Sequence, residues 1–250
     1  MPGELLRGAA PFSASNGSSG ALVLHGFTGS PFEMRPLAEA FADAGFSVEL
    51  PLHPGHGTAP RDLVPMRFSD WAEAAEASYL SISARCDRTV LAGLSMGGTL
   101  ACWLAERHHD VAGVVLINPL VAPPATEVLD ELRQGLAAGA IYAPGGSSDV
   151  HREVERPDRY DQVPLAPLLS LLEATEEVAS HLEEIDCPVL LLTSREDHVV
   201  APESGALVQA AVSGPVEHVV LESSYHVATL DYDAGEIEHR AVAFAQKVAC

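Results

Sequence analysis

The stretch Val90-Leu91-Ala92-Gly93-Leu94-Ser95-Met96-Gly97-Gly98 constrains this chain more than any other. A β-branched and apolar run stops at Gly93, and a helix reads from Met96 through Trp103 and Leu104, so Ser95 falls in a strand-to-helix turn. Glycines stand two residues to either side of the serine. So sharp a turn leaves no room for neighbouring Cβ atoms, and small residues there are a steric requirement. The pattern predicts a nucleophile elbow, with Ser95 exposed at the carboxyl end of a sheet in strained backbone geometry. The competing reading is a Gly-rich turn capped by a serine; the rest of the chain decides between them.

From Ala21 onward strand and helix alternate. Ala21 to Leu24 reads as a short buried strand, Pro31 to Ala44 as a helix with Leu37, Ala40, Phe41 and Ala44 on one face, and Phe46 to Leu50 as the next strand. A helix over Phe68 to Ala84, a strand over Thr89 to Ala92, a helix over Met96 to Glu106 and a strand over Val111 to Ile117 continue the rhythm. Pro188 to Leu192 and Val216 to Leu221 supply two more strands, and Ala234 to Val248 is a helix with Ile237, Ala241, Phe244 and Val248 on one stripe. Pro11 to Ala14 is a candidate edge strand. Strands that are apolar throughout are buried on both faces, the condition of a parallel sheet covered by helices. The predicted fold class is therefore α/β, a mostly parallel doubly wound sheet flanked by helices. With 47% hydrophobic residues in 250, one core suffices, and residues 1–250 are expected to form one domain with an insertion at about 119–165.

A serine hydroxyl is a weak nucleophile and needs a base within hydrogen-bond reach and an acid to orient that base. In a doubly wound sheet such groups gather at the carboxyl ends of strands, a filter that removes most of the 11 histidines. His226 lies just past the strand ending at Leu221, whereas His239 falls inside the last helix. Asp197 follows the strand Pro188 to Leu192. Ser95, Asp197 and His226 then occur in the order Ser, Asp, His that an α/β-hydrolase sheet requires. Glu196 remains a rival acid, as does Asp231 although it follows the histidine; His198 reads as a structural neighbour, and the alternative for His226 is a surface loop histidine.

Attack on an acyl carbonyl creates an oxyanion that preorganised N–H donors must meet. Met96 offers one at the head of its helix. The loop His25-Gly26-Phe27-Thr28-Gly29, which ends the run Ala21 to Leu24, offers a second at Phe27. His53 and His56, in Pro51-Leu52-His53-Pro54-Gly55-His56-Gly57, look like a ligand pair, but no carboxylate or third histidine stands at metal-ligand spacing. A tight loop is expected there, without a metal.

Charge narrows the partners. Against 35 acidic residues stand 14 basic ones, for a formal net charge of -21, and Lys247 is the only lysine. Such a surface repels phosphate backbones and anionic membranes, so no nucleic-acid partner is expected and the charge reads as a solubility device. Residues 1–20 lack a basic start followed by an apolar run, and no apolar run approaches the ~20 residues of a membrane span. No stable membrane anchor is expected, and the location expected is cytoplasmic. Cys86, Cys102, Cys187 and Cys250 show neither C-x-x-C spacing nor a dense framework, which predicts buried thiols and no disulfide.

Five stretches carry a family resemblance: His25-Gly-Phe-Thr-Gly29, Met34-Arg-Pro-Leu-Ala38, Gly55-His-Gly-Thr58, Gly93-Leu-Ser-Met-Gly-Gly-Thr99 and Asp197-His-Val-Val200. Together the chain resembles the small bacterial monoacylglycerol lipases and their carboxylesterase relatives of the α/β-hydrolase family, from about Pro11 to the last helix. The resemblance implies an ester substrate of the acylglycerol type, no cofactor, a triad at Ser95, Asp197 and His226, and oxyanion donors at Phe27 and Met96. The stretch from Ala143 to Asp149 matches no motif of that family.

That stretch lies in the insertion, which is too long for a structureless loop and is expected to be a functional cap with its own helix. Thr126 to Ala138 supplies the helix, with Val128, Leu129, Leu132 and Leu136 on one face and Glu127, Asp130, Glu131 and Arg133 over much of the rest. The apolar face either packs on the core or lines an acyl-chain tunnel over Ser95. On the second reading Leu129, Leu132 and Leu136, joined by Val199 from the acid loop, form the substrate pocket. The function expected is a serine carboxylic-ester hydrolase, a monoacylglycerol lipase. A broad short-chain carboxylesterase and an inactive ligand-binding protein on the same fold are the alternatives. Oligomeric state is not legible in the sequence.

Overall fold

Residues along each central strand alternate between two packed layers, and that alternation builds the molecule. The computed structural model describes residues 3–145, 149–154 and 160–249. In chain order the strands are β1 (Phe12–Ala14), β2 (Ser19–Leu24), β3 (Ser47–Leu50), β4 (Arg88–Leu94), β5 (Val111–Ile117), β6 (Tyr142–Pro144), β7 (Gln162–Pro164), β8 (Val189–Ser194) and β9 (Val216–Leu221). The helices are α1 (Pro31–Asp43), α2 (Pro60–Leu63), α3 (Phe68–Ser83), α4 (Met96–Ala105), α5 (Thr126–Ala137), α6 (Leu165–His181), α7 (Glu203–Ala211) and α8 (Ala234–Ala249).

Seven strands form one sheet in the order β1-β3-β2-β4-β5-β8-β9. Only β1 runs antiparallel, against β3. One side of the sheet packs Ala21, Val23, Val90, Val115 and Leu190 against Leu37 and Phe41 of α1 and Ile237, Ala241 and Phe244 of α8. The other packs Leu22, Leu24, Leu91, Leu116 and Leu191 against Trp71 and Tyr79 of α3, Leu100 of α4, and Leu171 and Val178 of α6. Helix α1 starts where Ser30 Oγ accepts the Phe32 N–H at 3.2 Å, with Pro31 in the first turn, and the chain leaves it through Gly45 at φ 92°. Among the described residues no helix is long and apolar enough to cross a membrane, and Cys86, Cys102 and Cys187 are free thiols.

Between β5 and β8 the chain forms α5, the antiparallel pair β6–β7 and α6. The three-residue strands β6 and β7 were not predicted, nor was α7: runs so short carry no resolvable period. Residues 146–148 of the loop after Pro144 and Cys250 lie outside the described residues. Helix α5 forms where predicted, yet none of its residues is buried. Leu129, Leu132 and Leu136 are half-buried, and the helix leans on α6, where Gly135 faces Leu165 and Arg133 pairs with Glu173 at 2.8 Å.

Candidate active site

Ser95 joins β4 to α4 at φ 55°, ψ -117°, a backbone conformation that costs an L-residue on the order of 1–3 kcal/mol. The flanking glycines make the turn possible. A Cβ on Gly93 would lie 2.1 Å from the Gly97 carbonyl oxygen, and one on Gly97 would lie 2.1 Å from the Leu24 carbonyl oxygen. The Ser95 main chain is tied on both sides: its N–H donates to Ile117 O at 3.1 Å, and its carbonyl accepts from Gly98, Thr99 and Leu120. Thr28 and Asn118 are the other described non-glycine residues at positive φ, in the segments following β2 and β5. Backbone strain thus collects at the carboxyl ends of three neighbouring strands.

Two loops beyond β8 and β9 meet each other. Asp197 Oδ2 lies 2.8 Å from His226 Nδ1, and both side chains are less than one-tenth exposed. Asp197 Oδ1 accepts the N–H groups of Val199 and Val200, each at 2.8 Å. Glu196 is exposed. The Asp231 carboxylate is engaged by the N–H groups of His151, Arg152, Tyr225 and Tyr232, and His239 is exposed on α8. The geometry therefore pairs Asp197, rather than either rival, with His226. Asn118, a residue the sequence reading passed over, ties the loops together: its Nδ2 donates to Ser194 Oγ at 2.9 Å and to His226 O at 2.8 Å, and its Oδ1 accepts from Ser194 N at 2.7 Å. An Asn directly after a strand was its only sequence signal.

The loop after β2 brings Phe27 to the same place. Glu33 of α1 props that loop from below, with Oε1 accepting the Gly26 N–H at 2.8 Å; a Cβ on Gly29 would meet the same oxygen at 2.2 Å. His25 braces it from behind: Nδ1 faces Gly26 O at 2.9 Å and Nε2 accepts the His53 N–H at 3.1 Å. That pattern selects the neutral, Nδ1-protonated ring. His25, His53 and His56 pack together, with ring centroids 4.2 to 6.1 Å apart. Burial holds all three imidazoles neutral: His25 lies well below its usual value, His53 falls to about 3 and His56 to about 4, with mutual repulsion adding to the shift in His25 and His53. Met96 opens α4, so its N–H has no intrahelical acceptor.

Ser95 and His226 line one cavity of about 390 Å³. Leu120, Val163, Leu168, Leu171, Leu172, Val199, Val200 and Val227 form its apolar walls, while Thr28, Glu33, Asp149 and Tyr160 supply polar groups. Leu129, Leu132 and Leu136 do not line the cavity: α5 spends its apolar face on α6, and α6 in turn provides the lining. Periodicity identifies a face that seeks cover, not what covers it.

A serine on an elbow and a buried Asp–His couple whose imidazole lines the same cavity, at the carboxyl end of a mostly parallel sheet, are the features of a serine hydrolase of the α/β-hydrolase fold. Residues 19–233 match the family model described as serine aminopeptidase, S33, and the chain belongs to this family. It is 41% identical over 250 residues to a thermostable monoacylglycerol lipase of Bacillus sp. (strain H-257), covering 98% of this chain and 97% of that one. It is 25% identical to a carboxylesterase of Bacillus subtilis (strain 168), covering 95% and 96%. Among solved structures, one from work on two metagenome-derived lipolytic enzymes superposes with a TM-score of 0.92 at 37% identity, covering 98% of this chain and 100% of that one. The chain is thus a serine ester hydrolase of the α/β-hydrolase family.

Proposed function

We propose that the substrate is a monoacylglycerol and that Ser95, Asp197 and His226 carry the reaction. Ser95 Oγ attacks the ester carbonyl while His226 Nε2 takes its proton, and Asp197 holds the Nδ1 side of the ring. The N–H groups of Phe27 and Met96 receive the negative charge that develops on the carbonyl oxygen. His226 returns the proton to the departing glycerol oxygen, leaving an acyl-enzyme. Water, deprotonated by the same imidazole, then releases the fatty acid and restores Ser95.

The observation that carries the substrate reading is the cavity. Its volume of about 390 Å³ and its Leu and Val walls suit one acyl chain, and its polar groups suit the hydroxyls of a small alcohol. The segment 119–165 acts as a cap, with β7 supplying part of the wall and α5 buttressing α6 from outside. The monoacylglycerol lipase relative supports the same reading. The test compares mono-, di- and triacylglycerols of equal chain length: a strong preference for the monoester is expected. Equal rates on all three overturn the reading in favour of a general lipase, and activity confined to short esters overturns it in favour of a carboxylesterase.

A further inference from the structure

Asp149 belongs to the cap, and its contacts reach far along the chain. Its Oδ2 accepts the His226 N–H and the His198 N–H, both at 3.1 Å. Its Oδ1 lies 2.8 Å from His198 Nδ1, and its carbonyl oxygen accepts the Val227 N–H at 2.9 Å. One side chain therefore binds the main chain of the candidate base and that of the residue next to the candidate acid. The carboxylate is only 13% exposed and borders the cavity that holds Ser95.

The residues that follow are stitched to the same loop. His151 N–H and Arg152 N–H donate to the buried Asp231 carboxylate at 2.6 and 3.1 Å, and Arg152 Nε donates to Leu230 O. The His151 ring stacks on Tyr225 with centroids 4.5 Å apart and planes 7° from parallel. Residues 149–152 thus form a strap from the cap across the histidine loop, fastened at both ends by carboxylates. Burial raises the Asp149 carboxyl, but the hydrogen bonds from His198 and His226 outweigh it and hold it below the usual range.

His226 and Asp197 stand on separate loops, and their 2.8 Å contact persists only if those loops keep their spacing. We propose that Asp149 is a positioning residue, which sets that spacing by binding both loops and so makes the cap a part of the catalytic centre. The proposal rests on the reading of Ser95, Asp197 and His226 as the triad. A misplacement of about 1 Å in such a couple costs up to 100-fold in rate, whereas a residue that only lines the cavity acts through binding, more strongly for longer chains.

The test uses the full chain with Asp149→Ala and Asp149→Asn, each checked for cooperative thermal unfolding, on p-nitrophenyl butyrate and p-nitrophenyl laurate. Expected for Asp149→Ala is a kcat about 10- to 100-fold lower, by the same factor on both esters, with KM within about threefold of wild type. Asp149→Asn, which keeps one acceptor oxygen, is expected to fall between the two. A folded variant whose kcat stays within about twofold overturns the proposal, as does a loss confined to KM for the laurate ester. If Asp149→Ala fails to fold, the isosteric Asp149→Asn carries the same criterion. Ser95→Ala runs alongside: its inactivity with Asp149 variants unaffected sinks the positioning role alone, and its retained activity sinks the triad reading beneath it.

Discussion

Asp197 is held on one side by main chain and spends the other on a single partner: Oδ1 accepts from Val199 and Val200, and Oδ2 meets His226 Nδ1 at 2.8 Å. The carboxylate cannot swing away without breaking two bonds to its own loop. The carboxylate accepts at Nδ1, which selects the Nδ1-protonated tautomer of the imidazole.

Asp197→Asn is expected to lower kcat by about three to four orders of magnitude while leaving the fold intact, because an amide can present its NH2 to Nδ1 and select the wrong tautomer. Glu196→Gln, at an exposed side chain, is expected to change kcat less than about twofold. Steady-state hydrolysis of a p-nitrophenyl ester by both variants checks the ranking. A reversed order removes Asp197 from the mechanism.

Two glycines make a paired prediction about stability. Gly97→Ala drives a Cβ to 2.1 Å from the Leu24 carbonyl oxygen, in rigid backbone, and is expected to destabilise by more than about 3 kcal/mol or abolish folding. Gly135→Ala, inside α5 with its nearest neighbour Leu165 Cδ1 at an ordinary 3.7 Å, is expected to stabilise by about 0.5–1 kcal/mol. Urea denaturation of both variants measures the contrast.

Acid should loosen the molecule through the buried histidines. Folding depresses His53 to about 3 and His56 to about 4 from 6.5, with His25 also well below it. Below pH 6.5 the unfolded chain therefore takes up protons that the folded chain does not, and stability falls as pH drops. The loss approaches about 1.4 kcal/mol per pH unit for each histidine and continues until the folded-state values are reached. His53→Leu, which removes one of the depressed imidazoles, is expected to flatten the decline between about pH 6.5 and pH 4. Urea midpoints across that range check it; an unchanged slope in the variant excludes His53 as a source.

The cavity predicts which leucines set chain length. Leu172→Trp, on the wall, is expected to shorten the preferred acyl chain while sparing acetate and butyrate esters. Leu132→Trp on α5, outside the cavity, is expected to leave the chain-length profile unchanged. Each methylene excluded forfeits about 0.8 kcal/mol, or roughly fourfold in kcat/KM. The opposite pattern would return α5 to the tunnel.

What was legible in the sequence was what neighbours in the chain dictate. Gly93 and Gly97 announced the elbow because the clash they avoid is local, and the apolar runs announced the sheet because burial on both faces admits few other residues. The pairing of Asp197 with His226 followed from topology, since both sit past strand ends. Asn118, Glu33 and Asp149 were missed. Asn118 and Asp149 reach His226 across 108 and 77 residues, and nothing near them in sequence marks the partner. Glu33, only seven residues from Gly26, reads as an ordinary acid in the first turn of a helix. For Leu129, Leu132 and Leu136 the sequence left packing and tunnel lining both open, because an amphipathic face is satisfied equally by a substrate and by another helix.

The elbow also dictates when the chain becomes an enzyme. Ser95 holds its conformation through Ile117 of β5 and through the packing of Gly97 on Leu24 of β2, so neither β4 nor α4 alone can shape it. Until those three parallel strands have been brought together from across some 90 residues of sequence, the serine is an ordinary hydroxyl. Regain of turnover after dilution from urea is therefore expected to trail the recovery of helical circular dichroism.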